Sequence, residues 1–257
     1  MIGAAMRRQF LADYARIRAA EGRGADTSAY YRSLPFADLT GRNSGQWRIR
    51  ARTFEYFLRH IIPRGACRIL DLGAGNCWLT YHLMLLGHSV VALDIFADER
   101  DGLRARRHYP VEVRAVEADF NTLPFNNSSF DLLIFNSSIH YSSDYVQTLH
   151  EARRCLRPGG RVVILDSPVY RRCEHGEAMR AERQLDFERR FGGRSAALGS
   201  IEYFDLETLR TLASRLSIRW KIHRPWYGFR WHLRPAIALL KRRRPPSRFW
   251  ILEAAFQ

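Results

Sequence analysis

The order of the predicted elements indicates an α/β fold with a mostly parallel sheet and helices on both of its faces. Two observations support this prediction: short strands alternate with helices through residues 66–168, and most of those strands are continuous apolar runs. Such strands are buried on both faces, as they are when helical crossovers connect parallel neighbours. The predicted strands are residues 68–72, 90–94, 111–116, 130–135 and 161–165.

The helices are predicted from apolar residues at helical spacing and from residues that begin or end a helix. In residues 45–62, Trp47 and Phe54 belong to an apolar stripe, and Pro63 ends the helix. Asp205 is a suitable N-cap for a helix that runs to residue 215. The other predicted helices are residues 5–21, 76–86, 101–108, 143–156 and 177–191.

Three parts of the chain have different expected roles. Residues 1–65 would form a helical lid over a substrate or cofactor, and residues 66–168 would form the binding core. Residues 169–257 would supply cap helices and two final strands, at residues 217–222 and 249–256. The whole chain is therefore expected to form a seven-stranded, mostly parallel sheet with N-terminal helices and a helical cap.

The formal net charge of +15 is carried by the two flanks of the chain. The net charge is +7 over residues 1–65, −2 over residues 66–168 and +10 over residues 169–257. Lys221 and Lys241 are the only lysines, so the positive charge is almost all arginine, which suits phosphate and carboxylate groups. An arginine-rich genome composition would explain the same bias, so charge alone does not establish an anionic partner.

The four cysteines give no sign of a disulfide framework or a metal site. Cys67, Cys77, Cys155 and Cys173 include no C-x-x-C pair, and none of them clusters with histidine. The N-terminus has no apolar stretch of signal-peptide length, and no run in the sequence is long enough to span a membrane. These observations predict a cytoplasmic protein without a metal or a transmembrane segment.

Ligand binding is expected at residues 71–77, the turn between the first strand of the core and the helix after it. Gly73 and Gly75 allow the backbone to approach a ligand closely, and the following helix presents free N–H groups that suit a carboxylate. A dinucleotide-binding turn would place a third glycine where this chain has Trp78. The turn therefore argues against NAD or FAD.

Five segments of the core follow one another at a spacing that is typical of a known family. They are residues 71–76 at the first turn, Asp94 at the end of the second strand, and residues 118–125, 130–136 and 156–162. Together they resemble the class I S-adenosylmethionine-dependent methyltransferases, most closely the group called methyltransferase type 11. The resemblance implies a Rossmann-like fold and an S-adenosylmethionine cofactor.

The resemblance also implies roles for individual residues. Asp94 would contact the ribose hydroxyls, and Asp119 would face the adenine amino group. Asp71 has a second interpretation, as a cap of the following helix. The family usually has glycine where this chain has Cys77, which is a departure from the pattern. The expected cofactor-binding residues are Asp71, Gly73, Gly75, Asp94, Asp119, Phe120 and Asn136.

The methyl acceptor is expected beyond the carboxyl ends of the fourth and fifth strands, where residues 136–141 and 166–170 follow. His140 is the candidate general base, because its ordinary pKa suits proton removal near neutrality; packing beside the cofactor is the alternative role. Aromatic side chains would line the acceptor pocket, although they are also ordinary core residues. The candidate pocket residues are Tyr31, Trp47, Tyr141, Tyr170 and Trp226.

These features predict a methyltransferase that acts on a small-molecule acceptor, either anionic or hydrophobic. An RNA-directed enzyme would explain the basic flanks, but residues 136–139 lack the Asn-Pro-Pro-Tyr segment of base-amine methylating families. A protein that keeps the fold without catalysis is a third interpretation. The basic run at residues 241–244, which follows Leu239 and Leu240, would suit RNA phosphates or an anionic membrane surface; a solvated helix end is the favoured interpretation.

Overall fold

A seven-stranded sheet forms the centre of the computed structural model, which describes residues 4–193 and 200–257. The strand order is β3-β2-β1-β4-β5-β7-β6. The pairs among β1 to β5 are parallel, and β7 runs antiparallel to both β5 and β6. The strands are β1 (Arg68–Leu72), β2 (Ser89–Asp94), β3 (Arg114–Glu117), β4 (Phe130–Asn136), β5 (Leu156–Leu165), β6 (Ile218–His223) and β7 (Ile251–Phe256).

Helices surround this sheet in the order that the sequence predicts, with two additions. The short helices α2 and α8 were not predicted, and residues 103–108 form a 3-10 helix where a longer helix was expected. The helices are α1 (Ala4–Ala20), α2 (Ser28–Ser33), α3 (Ser44–His60), α4 (Trp78–Leu85), α5 (Tyr145–Cys155), α6 (Cys173–Phe191), α7 (Leu206–Leu216), α8 (Phe229–His232) and α9 (Arg234–Leu240).

The fifth strand begins five residues earlier than predicted, at Leu156. Phe130 pairs with Leu156, and Leu132 pairs with Arg161, so the extra residues of β5 form an irregularity in the ladder. The Pro-Gly-Gly run at residues 158–160 therefore lies within the strand. In contrast, the N-cap of α7 is confirmed, because the Asp205 carboxylate accepts from the backbone N of Thr208 at 2.6 Å.

Side chains from neighbouring positions of each strand pack on opposite faces of the sheet. Ile69 belongs to the cluster that contains Phe54 and Phe57 of α3, whereas Leu70 belongs to the cluster that contains Leu149 of α5. Both faces of the sheet are thus covered by apolar residues. Since α3 contributes large buried side chains to one face, much of the predicted N-terminal lid is part of the core.

Strand order reverses between β1 and β4, and the carboxyl ends of β1, β2, β4 and β5 lie at one edge of the sheet. A crevice at such a switch point is where open α/β sheets bind ligands. Helix α6 is joined to α1 by a hydrogen bond from Arg16 to the carbonyl of Phe191, at 3.3 Å. The predicted cap continues into residues 194–199, which lie outside the described residues.

No helix among residues 4–193 and 200–257 combines the length and the apolar character needed to cross a bilayer.

Candidate active site

A cavity of about 540 Å³ opens at the carboxyl ends of β1, β2 and β4. This volume is within the range of small-molecule sites, and the cavity wall combines apolar side chains with many polar and charged ones. The loops after the strands form one side of the cavity, and α1 and α3 contribute to the other. The predicted site residues in its wall are Gly73, Gly75, Asp94, Asp119, Phe120, Asn136 and Tyr141.

The turn after β1 is held against the end of β2 and against the loop after β4. The backbone N–H groups of Gly73 and Ala74 both donate to the Leu93 carbonyl, at 2.7 and 3.0 Å. Gly73 has φ +73°, and a Cβ there would lie 2.3 Å from Cβ of Ser138. Glycine is therefore required at position 73 for two reasons: its backbone conformation and the close approach of Ser138.

The backbone conformation at Cys77 accounts for the glycine that the methyltransferase family resembled by this sequence usually has at this position. Its backbone is left-handed, with φ 65° and ψ 19°, a conformation that glycine adopts with the least strain. The side chain is buried, and burial raises the pKa of the thiol well above its ordinary value. The cysteine thus fits the turn, stays protonated and has its N–H bonded to the Ala74 carbonyl at 2.9 Å.

Asp94 presents a carboxylate at the end of β2. Its Oδ2 accepts from the backbone N of Gly75 at 2.8 Å, and its Oδ1 accepts from the backbone N of Phe96 at 2.9 Å. Burial raises the pKa of this carboxyl to about 6, so it remains mostly ionised near neutral pH. Because each oxygen can accept more than one hydrogen bond, the carboxylate can also receive two hydroxyl groups of a ligand.

Two further polar groups of the wall come from the loop after β3 and the end of β4. Oδ1 of Asp119 accepts from the backbone N and the Nδ2 of Asn121, at 2.8 and 2.9 Å. Oδ1 of Asn136 is buried and has no hydrogen-bond partner within the described part of the protein. A buried acceptor without a partner costs free energy, and a donor on a bound ligand would satisfy it.

The position of Asp71 corrects the expectation that it contacts the cofactor. Its side chain is fully buried, and its Oδ2 accepts from Oγ1 of Thr80, on α4, at 2.7 Å. Asp71 is absent from the cavity wall, because its place in β1 directs the carboxyl beneath the turn, toward α4. Burial raises the pKa of Asp71 to about 7. The residue therefore fixes α4 and supports the glycine turn from behind.

His140, the candidate base, is also outside the cavity wall. Its side chain is buried, and Nδ1 lies 3.3 Å from Oγ of Ser167. Burial, together with the positive charges of Arg183 and Arg50, lowers the pKa of His140 to about 3. In this environment the imidazole is neutral throughout the physiological range and is a poor proton acceptor.

The predicted aromatic residues of the acceptor pocket are dispersed, and only Tyr141 lies in the cavity wall. Tyr31 is completely buried and donates to the Arg100 carbonyl at 2.7 Å. Trp47 and Tyr170 are buried elsewhere, whereas Trp226 is 56% exposed and stacks on His232. The expectation for these four residues is corrected because aromatic side chains also fill ordinary cores, and sequence does not separate the two roles.

Helix α1 contributes residues to the wall that sequence analysis missed: Phe10, Tyr14 and Arg18. Their spacing of four residues places them on one face of the helix. The ring of Tyr14 lies edge-on to Phe96 and Tyr141, with centroids 5.0 and 5.5 Å apart. This stripe is visible in the sequence, but nothing there indicates that it would cover the carboxyl edge of a distant sheet.

The Arg50 guanidinium, from α3, is the second contribution that was missed. It lies 4.8 Å from the centre of the Trp47 ring, and Nη2 donates to Oγ of Ser137 at 3.3 Å. Burial lowers the pKa of Arg50 to about 10, so the group is still charged at neutral pH. No acidic side chain within the described ranges forms an ion pair with it. A partly buried cation of this kind, in the wall of the cavity, favours an anionic group there.

Residues 70–164 match a sequence family described as a methyltransferase domain. Malonyl-[acyl-carrier protein] O-methyltransferase of Erwinia pyrifoliae is 34% identical over 110 residues, which are 43% of this chain and 41% of that protein. Demethylmenaquinone methyltransferase of Clavibacter sepedonicus is 32% identical over 140 residues, 54% of each protein. The chain therefore spans about half the length of the curated relatives that it matches.

A solved structure shows the same fold over most of this chain. It is 1,6-didemethyltoxoflavin-N1-methyltransferase of Burkholderia thailandensis, determined with 1,6-didemethyltoxoflavin and S-adenosylhomocysteine. The match has a TM-score of 0.52 and 18% identity, and it covers 85% of this chain and 83% of the other. Residues 70–164 are thus similar to a methyltransferase domain, and the solved structure has the same fold. The predicted Rossmann-like fold is thereby confirmed.

Proposed function

We propose that this chain transfers the methyl group of S-adenosylmethionine to a small-molecule acceptor. The observation that carries the proposal is the convergence of the glycine turn, the Asp94 carboxylate and the unpartnered Asn136 oxygen on one cavity. These groups offer a close backbone approach, a charged acceptor for hydroxyls and a buried acceptor for a donor. S-adenosylmethionine has complementary groups: an amino acid end, a ribose and an adenine.

Different residues of the cavity wall would contact different parts of the cofactor. Asp94 would accept hydrogen bonds from the ribose hydroxyls, and Asp119 with Phe120 would contact the adenine. The glycine turn and Asn136 would hold the amino acid end. The charge of Arg50 lies near Ser137, at the same end of the cavity, and suits a carboxylate there.

The bound cofactor would supply an electrophilic methyl group, so the main task of the protein is to place an acceptor atom behind it and to exclude water. Phe10 and Tyr14 of α1 cover the cavity and serve the second purpose. Because His140 is neutral and outside the wall, we propose an acceptor whose attacking atom is already unprotonated at neutral pH, such as a carboxylate oxygen.

Calorimetric titration with S-adenosylmethionine and S-adenosylhomocysteine tests the cofactor site. The wild-type protein is expected to bind both ligands, and Asp94→Ala is expected to weaken binding by about tenfold to a hundredfold, the value of hydrogen bonds to a charged group. Glu112→Ala removes an exposed carboxylate outside the cavity wall and should leave the affinity unchanged. Equal losses in both variants would contradict the assignment of Asp94.

Methyl transfer itself requires a second measurement. Cofactor with a radiolabelled methyl group is incubated with panels of small carboxylic acids, phenols and amines, and labelled products are separated from cofactor. Transfer to any of them that depends on Asp94 supports methyl transfer, and transfer to the carboxylic acids supports an acceptor that is already unprotonated; transfer to phenols or amines alone would contradict that choice of acceptor. Absence of cofactor binding by folded wild-type protein would contradict it and favour a protein that keeps only the fold.

A further inference from the structure

A long segment, residues 224–248, connects the adjacent antiparallel strands β6 and β7, and we name it the surface segment. It contains eight lysine and arginine residues and no aspartate or glutamate. It also contains half of the large apolar side chains that are exposed in the described part of the protein: Trp226, Phe229, Leu233, Ile237, Leu239 and Leu240. High positive charge and exposed apolar area thus coincide.

Phe229, Leu233 and Ile237 lie on one outward face of α8 and α9, and Leu240 extends this face. The backbone N of Leu233 donates to the Phe229 carbonyl at 2.9 Å, and that of Ile237 donates to the Leu233 carbonyl at 3.0 Å. Residues bonded in this way follow one another along a single side of a helix. Phe229 and Leu240 are 78% and 85% exposed, so this face is turned away from the rest of the molecule.

The opposite face fixes the orientation of the segment. The Trp231 ring packs against Phe249, with centroids 5.4 Å apart, and the Arg234 guanidinium lies 3.1 Å from the centre of the Trp231 ring. Arg234 also donates to the Ser247 carbonyl at 2.8 Å. The hydroxyl of Tyr227 donates to the Phe249 carbonyl at 2.8 Å. The apolar face is therefore presented outward by a set of specific contacts with the protein.

Basic side chains border this apolar face. Lys241, Arg242 and Arg243 follow α9 directly and are exposed. Within residues 4–193 and 200–257, none of the three forms an ion pair, whereas the next residue, Arg244, pairs with Glu182 at 2.7 Å. Three unpaired cations beside exposed aliphatic side chains create a local positive potential next to an apolar patch, and this combination is complementary to an anionic surface with an apolar interior.

We propose that the surface segment docks on an anionic phospholipid bilayer, with the outward face of α8 and α9 in the interfacial region and Lys241–Arg243 at the headgroups. An amphipathic helix lies in the membrane plane when its apolar face enters the acyl boundary and its cations meet anionic lipids. Four of the six exposed apolar side chains are leucine or isoleucine, which have no ring to stack on bases, so this composition favours lipid over RNA. This inference is independent of the cofactor site.

Flotation of the full chain with lipid vesicles tests the proposal. Vesicles of phosphatidylcholine with about 30% phosphatidylglycerol represent an anionic surface, and pure phosphatidylcholine vesicles are the comparison. The wild type should bind the anionic vesicles and dissociate as salt is raised. Replacing Lys241, Arg242 and Arg243 by glutamine should lower partitioning by about a hundredfold, since each cation contributes roughly fivefold. Phe229→Ser with Leu240→Ser should lower it by at least about tenfold.

Matched variants on other surfaces are the controls. Leu85→Ser with Leu86→Ser removes exposed apolar side chains at the end of α4, and glutamine at Arg104, Arg114 and Arg219 removes three exposed charges. Both controls should keep wild-type partitioning, and all variants should keep the thermal melting temperature. Three results would overturn the proposal: equal binding to both vesicle types, equal losses in variants and controls, or binding to single-stranded RNA without binding to vesicles.

Discussion

Asp71 has a buried carboxyl whose titration should be visible in the stability of the protein. Burial raises its pKa from 3.8 to about 7, so the folded state binds a proton that the unfolded state has already lost. Stability from this group is fully present below about pH 4 and is lost as the pH rises through about 7. Between about pH 4.5 and about pH 7.5, the loss amounts to about 3 kcal/mol.

Asp71→Asn removes this titration while keeping an oxygen to accept from Thr80. In the wild type, Oδ1 of Asp71 is buried without a hydrogen-bond partner, and the amide group of the variant would meet the same environment. Any free-energy penalty of the amide there is independent of pH, so it does not change how the stability difference between the two proteins varies with pH. Urea unfolding at a series of pH values should show the variant gaining about 3 kcal/mol relative to the wild type between about pH 4.5 and about pH 7.5. A difference that stays constant to within about 0.5 kcal/mol would refute this reasoning.

Asp131→Asn is the control with the opposite sign. Partial burial raises the pKa of Asp131, but hydrogen bonds from the backbone of Arg68 and the side chain of Arg157 outweigh it and lower the pKa overall. Stability from a lowered pKa is present at neutral pH and is lost as the pH falls. The free energy of unfolding of Asp131→Asn should therefore approach that of the wild type as the pH falls. Over the same pH range, Asp71→Asn should lose its stability relative to the wild type.

Three other substitutions test the site and its support. Gly73→Ala should raise the dissociation constant for S-adenosylhomocysteine at least about tenfold, as measured by calorimetry. A left-handed alanine costs about 1–2 kcal/mol, and its Cβ would collide with Ser138. Unchanged affinity would contradict the close approach of the two residues. Thr53→Val should lower the urea unfolding free energy by about 2 kcal/mol, since Asp166 loses a 2.6 Å hydrogen bond, while Thr53→Ser should not. His140→Gln should leave the pH profile of turnover unchanged near neutrality, because the histidine pKa is about 3; a lost acid limb would show that His140 is the base.

The parallel core and the glycine turn were predictable because their causes are local. A strand such as β1 is recognised by its continuous apolar composition, and a turn after it by the glycines at positions 73 and 75. Asp94 was placed in the site by its match to the family pattern, and its position at the end of a strand agrees with this, because neighbouring parallel strands end at one edge. In each case, a short stretch of sequence and the geometry of the sheet determine the position of the residue.

The direction of single side chains and the partners of distant helices were not predictable in this way. Asp71 and the glycines belong to one motif, yet its carboxyl points beneath the turn because successive strand residues alternate between faces. Arg50 reaches the cavity from a helix that precedes the core, and its contact with Ser137 spans 87 positions of the chain. Such contacts depend on tertiary packing, which no local pattern records.

The surface segment connects two neighbouring antiparallel strands that a two-residue turn could join. Closing a flexible loop becomes only slowly more costly as it lengthens, by about 0.6 kcal/mol for each doubling. The register between β6 and β7 is fixed by six paired positions, from Ile218 with Phe256 to His223 with Ile251, and none of these lies in the segment. The outward face of the segment is consequently independent of the strand pairing: its composition can change during evolution, or be exchanged by design, while the inward contacts and the sheet register are kept.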